Sequence, residues 1–99
     1  MDRIYVKKYV KGEKTLVTVC DSELIGKTLR EGRLRLEVSS SFYKGELATK
    51  EEAIAALSKA DTGNLVGEKS VRAAVDGRLV DPSAVIYIAG VPHVQIIRL

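Results

Sequence analysis

The segment RIYVKKYVKGEKTLVTVC (residues 3–20) decides the fold, because it holds two runs of β-branched and apolar residues on either side of a short turn. A turn at Gly12 and Glu13 makes one side of the resulting β-hairpin largely apolar. The predicted opposite pairs are Val10 with Thr15, Lys8 with Val17 and Val6 with Val19. The other side of the hairpin carries Tyr5, Lys7, Tyr9, Leu16, Thr18 and Cys20.

The chain after this hairpin predicts a short helix and a third strand. Asp21 is placed to cap the N-terminus of a helix in SELIGK (residues 22–27), since its carboxylate can accept backbone N–H bonds there. GRLRLEVSS (residues 32–40) alternates strictly between apolar and polar residues, which predicts a strand with one solvated face. Its inward residues would be Leu34, Leu36 and Val38. SFYKGEL (residues 41–47) is interpreted as a loop or a short strand.

Two further helices and a pair of strands complete the prediction. Thr49 and Glu52 fit a capping box that starts a helix over about residues 50–60. LVGEKSVRAAV (residues 65–75) predicts the last helix, with cap residues Gly63 and Asn64 and a left-handed stop at Gly77. AVIYI (residues 84–88) and HVQIIRL (residues 93–99) are interpreted as closing strands around the turn AGVP.

These elements predict a single α+β domain over residues 1–99. Its mainly antiparallel sheet would combine the N-terminal hairpin, a central strand and a C-terminal strand pair, packed with two or three helices. The 99 residues, 45% hydrophobic and 29% charged, are typical of one soluble core. No apolar run approaches the roughly 20 residues that span a bilayer, and no signal peptide is recognisable. A cytoplasmic location without a membrane partner is expected.

Positive charge is concentrated in the first half of the chain. Residues 1–50 hold 11 Lys and Arg against 7 Asp and Glu, whereas residues 51–99 hold 5 against 6. Such an asymmetry is compatible with an acidic partner such as RNA, but a solvated basic face that binds nothing is the favoured interpretation.

TGNLVGEKS (residues 62–70) superficially resembles a phosphate-binding loop. That loop requires G-x-x-x-x-G-K-[ST] directly after a strand. Here Gly63 and Gly67 are three residues apart, Glu68 stands before Lys69, and the preceding element is interpreted as a helix. The sequence therefore argues against nucleotide hydrolysis.

Candidates for catalysis are few, and none predicts a cofactor. Cys20 precedes a predicted helix N-terminus, where a thiol can become nucleophilic, but it would need a base. The one histidine, His93, is the only candidate base of that kind, and a buried structural cysteine is favoured. A lone histidine excludes a His-rich zinc site, and Glu51 and Glu52 fit a helix N-terminus better than an acid/base pair.

Two basic surfaces could contact RNA. On one side of the first strand, Tyr5 and Tyr9 could stack on bases while Lys7 contacts phosphate. These tyrosines could equally pack beneath a helix. The second surface is the cluster Lys27, Arg30, Arg33 and Arg35.

The segments CDSELIGKTLREGRLRLEVSSSFYKGEL, GNLVGEKSV and VIYIAGVPHVQII together resemble a small archaeal family, domain of unknown function 424. The resemblance extends from about residue 3 to the end of the chain. It implies an archaeal source, one compact domain, no established activity and a loose association with translation. The positions that a family-wide role would use are Asn64, Gly67, Glu68, Pro92, His93, Gln95, Phe42 and Tyr43. Structural roles for the same positions, as a helix cap, a fixed turn and a packed loop, remain the alternative.

We therefore expect a small non-enzymatic binding module for RNA or for a ribosome- or translation-related complex. The alternative is a small enzyme or ligand binder with a pocket between GNLVGE (residues 63–68) and GVPHVQ (residues 90–95). In that pocket His93 would lie beside Asn64 or Glu68.

Overall fold

A computed structural model describes residues 3–98. Eight strands and three helices form one α+β unit, which confirms the predicted fold class. The strands are β1 (Ile4–Lys11), β2 (Lys14–Asp21), β3 (Thr28–Glu31), β4 (Leu34–Glu37), β5 (Glu46–Ala48), β6 (Thr62–Val66), β7 (Ile86–Ile88) and β8 (Val91–Ile97). The helices are α1 (Ser40–Tyr43), α2 (Lys50–Ser58) and α3 (Glu68–Asp76).

Six of the strands form the main sheet, in the order β5-β1-β2-β6-β8-β7. All neighbouring pairs are antiparallel except β2 and β6, which are parallel. The N-terminal hairpin has the predicted register, since Val10 is opposite Thr15 and Val6 is opposite Val19. The sheet is therefore built around that hairpin.

Helices α2 and α3 cover one face of the sheet, which we call the back face. Its core includes Val19, Leu65 and Val94 from the strands, packed against Leu57 of α2 and Ala74 of α3. The predicted capping box of α2 is present: Thr49 Oγ1 accepts the N–H of Glu52, and Glu52 accepts the N–H of Thr49. These bonds satisfy donors that the first helical turn leaves free.

The opposite face, which we call the front face, is partly covered by α1 and by the separate two-stranded sheet β3–β4. Cys20, Tyr43 and Val66 are among the buried residues of this second core. The predicted third strand exists as β4, but it pairs with β3 and not with the main sheet. Leu34, expected to point inward, lies next to the β3–β4 turn and is 48% exposed, whereas Leu36 packs against the second core.

Several local predictions around residues 63–77 are wrong. Gly63 and Asn64 do not start a helix but lie in β6, and α3 begins at Glu68 with Gly67 as its N-cap. Gly77 has φ −78°, so it is not a left-handed stop; the positive φ belongs to the next residue, Arg78. Strand pairing on both sides of β6 overrides the turn propensity of its Gly-Asn pair.

Three other predictions are corrected in detail. Residues 22–24 form only a 3-10 turn that Asp21 does not cap through its side chain. SFYKGEL, interpreted as a loop or short strand, contains the end of α1 and the start of β5. The last two strands are present, but the turn between them is limited to Ala89 and Gly90, so His93 lies within β8.

Candidate binding surface

The strand register arranges the front-face side chains in three rows across the sheet. Six of the binding residues predicted from sequence lie in these rows: Asn64, His93, Gln95, Tyr5, Lys7 and Tyr9. The first row is Tyr5, Cys20, Val66, His93 and Ile86. The second row is Lys7, Thr18, Asn64 and Gln95. The third row is Tyr9, Leu16, Thr62 and Ile97.

Helix α1 lies over the middle of this face and ties Phe42 and Tyr43 to it. The Tyr43 hydroxyl donates to Asn64 Oδ1 at 2.6 Å, and Thr18 Oγ1 donates to the carbonyl oxygen of Phe42 at 3.2 Å. Burial raises the pKa of Tyr43 to about 12, with a further contribution from nearby Cys20. The phenol is therefore protonated at neutral pH and acts as the donor to Asn64.

Lys7 and Tyr9, which form a stripe on the front face of β1, also hold α1 in place. Lys7 Nζ donates to the carbonyl oxygen of Ser41 at 2.7 Å, and the Tyr9 hydroxyl donates to that of Phe42 at 2.8 Å. The rings of Tyr9 and Phe42 are stacked with centroids 5.5 Å apart. The ring face of Tyr9 toward Phe42 is thus already covered, which favours the packing interpretation of this stripe over base stacking.

His93 is half-buried in β8, opposite Val66 of β6 and Ile86 of β7. Its Nδ1 lies 2.8 Å from the carbonyl oxygen of Leu65. Because a carbonyl oxygen can only accept, Nδ1 carries the hydrogen in this contact. The imidazole therefore has the kind of carbonyl partner that a structural histidine requires.

We expect His93→Ala to lower the free energy of unfolding by about 1–3 kcal/mol, through lost packing and a lost hydrogen bond. Thermal unfolding of His93→Ala and His93→Gln measures this. If both variants unfold within about 0.5 kcal/mol of the wild type, as an uninvolved surface site would, the structural role is wrong.

Cys20 and His93 lie in the same row, but Val66 separates them. Two strand spacings amount to about 10 Å, which is too far for a base to take the thiol proton directly. Burial raises the pKa of Cys20 to about 12, and the neighbouring carboxylates of Asp21 and Glu23 add to this. The thiol is protonated at neutral pH, as expected of a buried structural cysteine.

The segment that resembles a phosphate loop is preceded by helix α2, as expected, and its first five residues form β6, so α3 does begin shortly after a strand. However, the start of α3 is already occupied by a side chain of the protein. The Asp21 carboxylate accepts the N–H of Lys69 at 3.0 Å and the N–H and hydroxyl of Ser70 at 2.8 and 2.7 Å. This capping carboxylate takes the place that a phosphate would need, since both bind the free donors of a helix N-terminus.

The four cations of the second predicted surface are all exposed on or beside the β3–β4 hairpin. Arg30 and Arg35 are directly opposite each other, with Arg33 in the turn region that joins the strands. Lys27 lies just before β3. On the other side of the hairpin, Leu29 and Leu36 are opposite each other and belong to the front-face core. We call Lys27, Arg30, Arg33 and Arg35 the arginine hairpin.

Few negative charges neutralise the arginine hairpin. Within residues 3–98 its one ion pair joins Arg35 to Glu37, at 3.5 Å between exposed side chains. Glu31 turns away and accepts the N–H of Ala89 at 2.7 Å, which ties the hairpin to the β7–β8 turn. The hairpin therefore presents a fixed, largely uncompensated positive surface.

The pocket proposed between GNLVGE and GVPHVQ is not formed as expected. A groove of about 300 Å³ does join Glu68 to Pro92, but it is also lined by Val71, Arg72 and Val75 of α3 on the back face. Asn64, His93 and Gln95 point to the front face. A smaller groove of about 220 Å³ at the strand ends is lined by Gly67, Glu68, Gly90 and Val91 among others.

Similarity to known proteins supports the family resemblance. Residues 9–99 match the family described as "Protein of unknown function (DUF424)". The chain belongs to this family. The crystal structure of an uncharacterized conserved protein from Methanopyrus kandleri has the same fold, with a TM-score of 0.81 and 24% identity. That similarity covers 98% of this chain and 94% of the other. No curated protein matches the chain in sequence.

Residues 3–98 also bear on metal binding and on membrane insertion. No group of three or more His, Cys, Asp or Glu side chains in this part of the chain could hold a metal ion. In the same residues no helix is long and apolar enough to cross a membrane.

Proposed function

We propose that this member of the family is a non-catalytic RNA-binding module and that the arginine hairpin makes the main contact. The observation that supports the proposal is the direct opposition of Arg30 and Arg35. Two like charges that face each other across a strand pair destabilise the pair. Arg30 and Arg35 are both exposed, and no carboxylate is opposite either of them. A polyanion supplies the missing negative charge, and phosphate is the group that a guanidinium binds in a bidentate manner.

Other features of the front face agree with a single-stranded ligand. Gln95 is exposed in the row beside Asn64, whose Oδ1 accepts from Tyr43. This leaves amide N–H groups of both residues to bond base edges. The partner class is thus RNA, free or within a ribosome- or translation-related complex, in the cytoplasm.

The test replaces Arg30, Arg33 and Arg35 together by Ala. We expect RNA affinity to fall by about tenfold or more, because each neutralised phosphate releases counterions. For a single-stranded oligonucleotide the slope of log affinity against log salt should become shallower by roughly 2. Fluorescence anisotropy with a labelled single-stranded RNA at several salt concentrations measures both quantities.

A matched control removes three exposed cations elsewhere. Lys59, Lys69 and Arg72 lie at the end of α2 and on α3, and replacing them by Ala changes the net charge equally. This variant should keep most of the affinity and of the salt slope. Equal losses in both triple variants would mean that only net charge matters, and an unchanged slope in the hairpin variant would exclude the arginine hairpin as the contact.

A further inference from the structure

Strand β8 leaves part of its outer edge uncovered. Strand β7 pairs only with residues 91–93, and its last pair is Ile86 with His93. Ala84 would be the next residue to face β8, opposite Gln95, but its N–H donates to Asp81 instead. The chain leaves the sheet at this point, so among the described residues no strand lies beside residues 94–97 on that side. We call these residues the β8 edge.

The direction of the backbone groups follows from two hydrogen bonds with the residues that flank β6. The N–H of Arg98 donates to Asp61, and the carbonyl oxygen of Pro92 accepts the N–H of Gly67. In an antiparallel pair, successive residues point their N–H and C=O groups alternately to one side and the other. Gln95 and Ile97 therefore point these groups away from β6, toward solvent.

The two edges of the main sheet are protected differently against pairing with another chain. Beyond the residues of β1 that pair with β5, the exposed edge carries Lys8 and Lys11. Lysine on an edge strand is a usual obstacle to pairing with another chain. The β8 edge has no such guard: Gln95 is neutral, and Ile97 is 68% exposed.

Arg98 follows this edge but does not guard it. Its guanidinium Nη1 donates to the carbonyl oxygens of Leu57 and Ala60, at the C-terminal end of α2. A cation is favourable there because the last carbonyls of a helix lack partners. The charge is thus directed to the helix and leaves the edge itself uncharged.

We propose that the β8 edge pairs with the same edge of a second copy of this chain. If Ile96 faces its counterpart across a two-fold axis, Gln95 of each copy faces Ile97 of the other. The outward N–H and C=O groups of both residues are then satisfied on both copies. An edge without charge is self-complementary, because two identical copies do not repel each other along it.

The pairing has a consequence for the arginine hairpin. The two-fold axis is perpendicular to the joined sheet, so the front faces of both copies lie on the same side. Each arginine hairpin packs near β7, next to the paired edge. This consequence, unlike the pairing itself, rests on the proposed RNA function: two hairpins would bind one RNA with higher effective affinity than a single copy.

Sedimentation velocity without RNA tests the pairing, from about 10 μM to about 1 mM protein. We expect the wild type to shift from monomer to dimer, and Ile97→Lys to weaken dimerisation by about tenfold or more by placing like charges together. Val10→Lys is the matched control, since Val10 is 65% exposed on the guarded β1 edge, and it should dimerise like the wild type. A wild type that stays monomeric, or an Ile97→Lys variant that dimerises equally, would overturn the proposal.

Hydrogen exchange on the wild type gives a second readout that needs no variant. The amides of Gln95 and Ile97 should exchange rapidly in dilute protein and become protected as concentration rises. Protection that does not change with concentration would contradict pairing at this edge, whatever RNA binding shows.

Discussion

Gly67→Ala should destabilise the protein by about 4 kcal/mol or more, a large share of the 5–15 kcal/mol that holds a typical domain folded. Gly67 has φ +110° and ψ 155°, a backbone conformation that only glycine adopts readily, which alone costs an alanine about 1–3 kcal/mol. An added Cβ would also overlap the Asp21 carboxyl group. Chemical denaturation followed by circular dichroism measures the loss.

Gly26→Ala is the matched control for Gly67→Ala. Gly26 also has a positive φ, +88°, but an added Cβ there meets no atom within 4 Å. Its cost should be limited to backbone strain, about 1–2 kcal/mol. Equal costs at Gly26 and Gly67 would show that the overlap with Asp21 contributes nothing. Asp21→Ala removes the overlap with Cγ and Oδ1 but keeps the Cβ of residue 21, 2.6 Å from the added Cβ, so only part of the extra cost of Gly67→Ala should disappear in that background.

The parts of the fold that could be predicted from sequence depend on nearby residues. The register of the first hairpin follows from a turn at Gly12 and Glu13, and the start of α2 follows from Thr49 and Glu52, three residues apart. Such signals are local, because the groups that satisfy one another lie within one turn of the chain. Both predictions are confirmed.

The central strand β6 is not predicted from the sequence, because the contacts that favour a strand there involve residues outside the strand. Gly63 and Asn64 have the residue types of a turn or cap, which local propensity follows. In the structure, Gly63 lies beneath α2, where an added Cβ would be 3.0 Å from Leu57 Cδ2 and 3.4 Å from Ile96. The glycine thus allows helix and sheet to approach closely, a packing requirement that a single sequence does not reveal.

The candidate site shows the same difference between signals from nearby residues and contacts between distant ones. Alternation and charge identified the arginines at positions 30, 33 and 35 as exposed, which the structure agrees with. The same reasoning could not tell that Lys7 and Tyr9 hold α1, since their partners Ser41 and Phe42 are more than 30 residues away. Asp21 caps α3, whereas the sequence predicts that it caps a helix over residues 22–27. Its partner Ser70 is 49 residues away, so local reasoning could not find this contact either.

Asp21→Ala should lower the free energy of unfolding by about 3 kcal/mol or more. Asp21 is 2% exposed and accepts from Lys69 and Ser70, so its removal leaves buried donors at the start of α3 without partners. Asp81 makes the same bonds to the N–H and hydroxyl of Ser83, at 2.8 and 2.7 Å, but on the surface, where water can replace it. Asp81→Ala should therefore cost only about 0.5–1 kcal/mol. If chemical denaturation gives the two variants costs within about 0.5 kcal/mol of each other, burial of the Asp21 cap is not what stabilises α3.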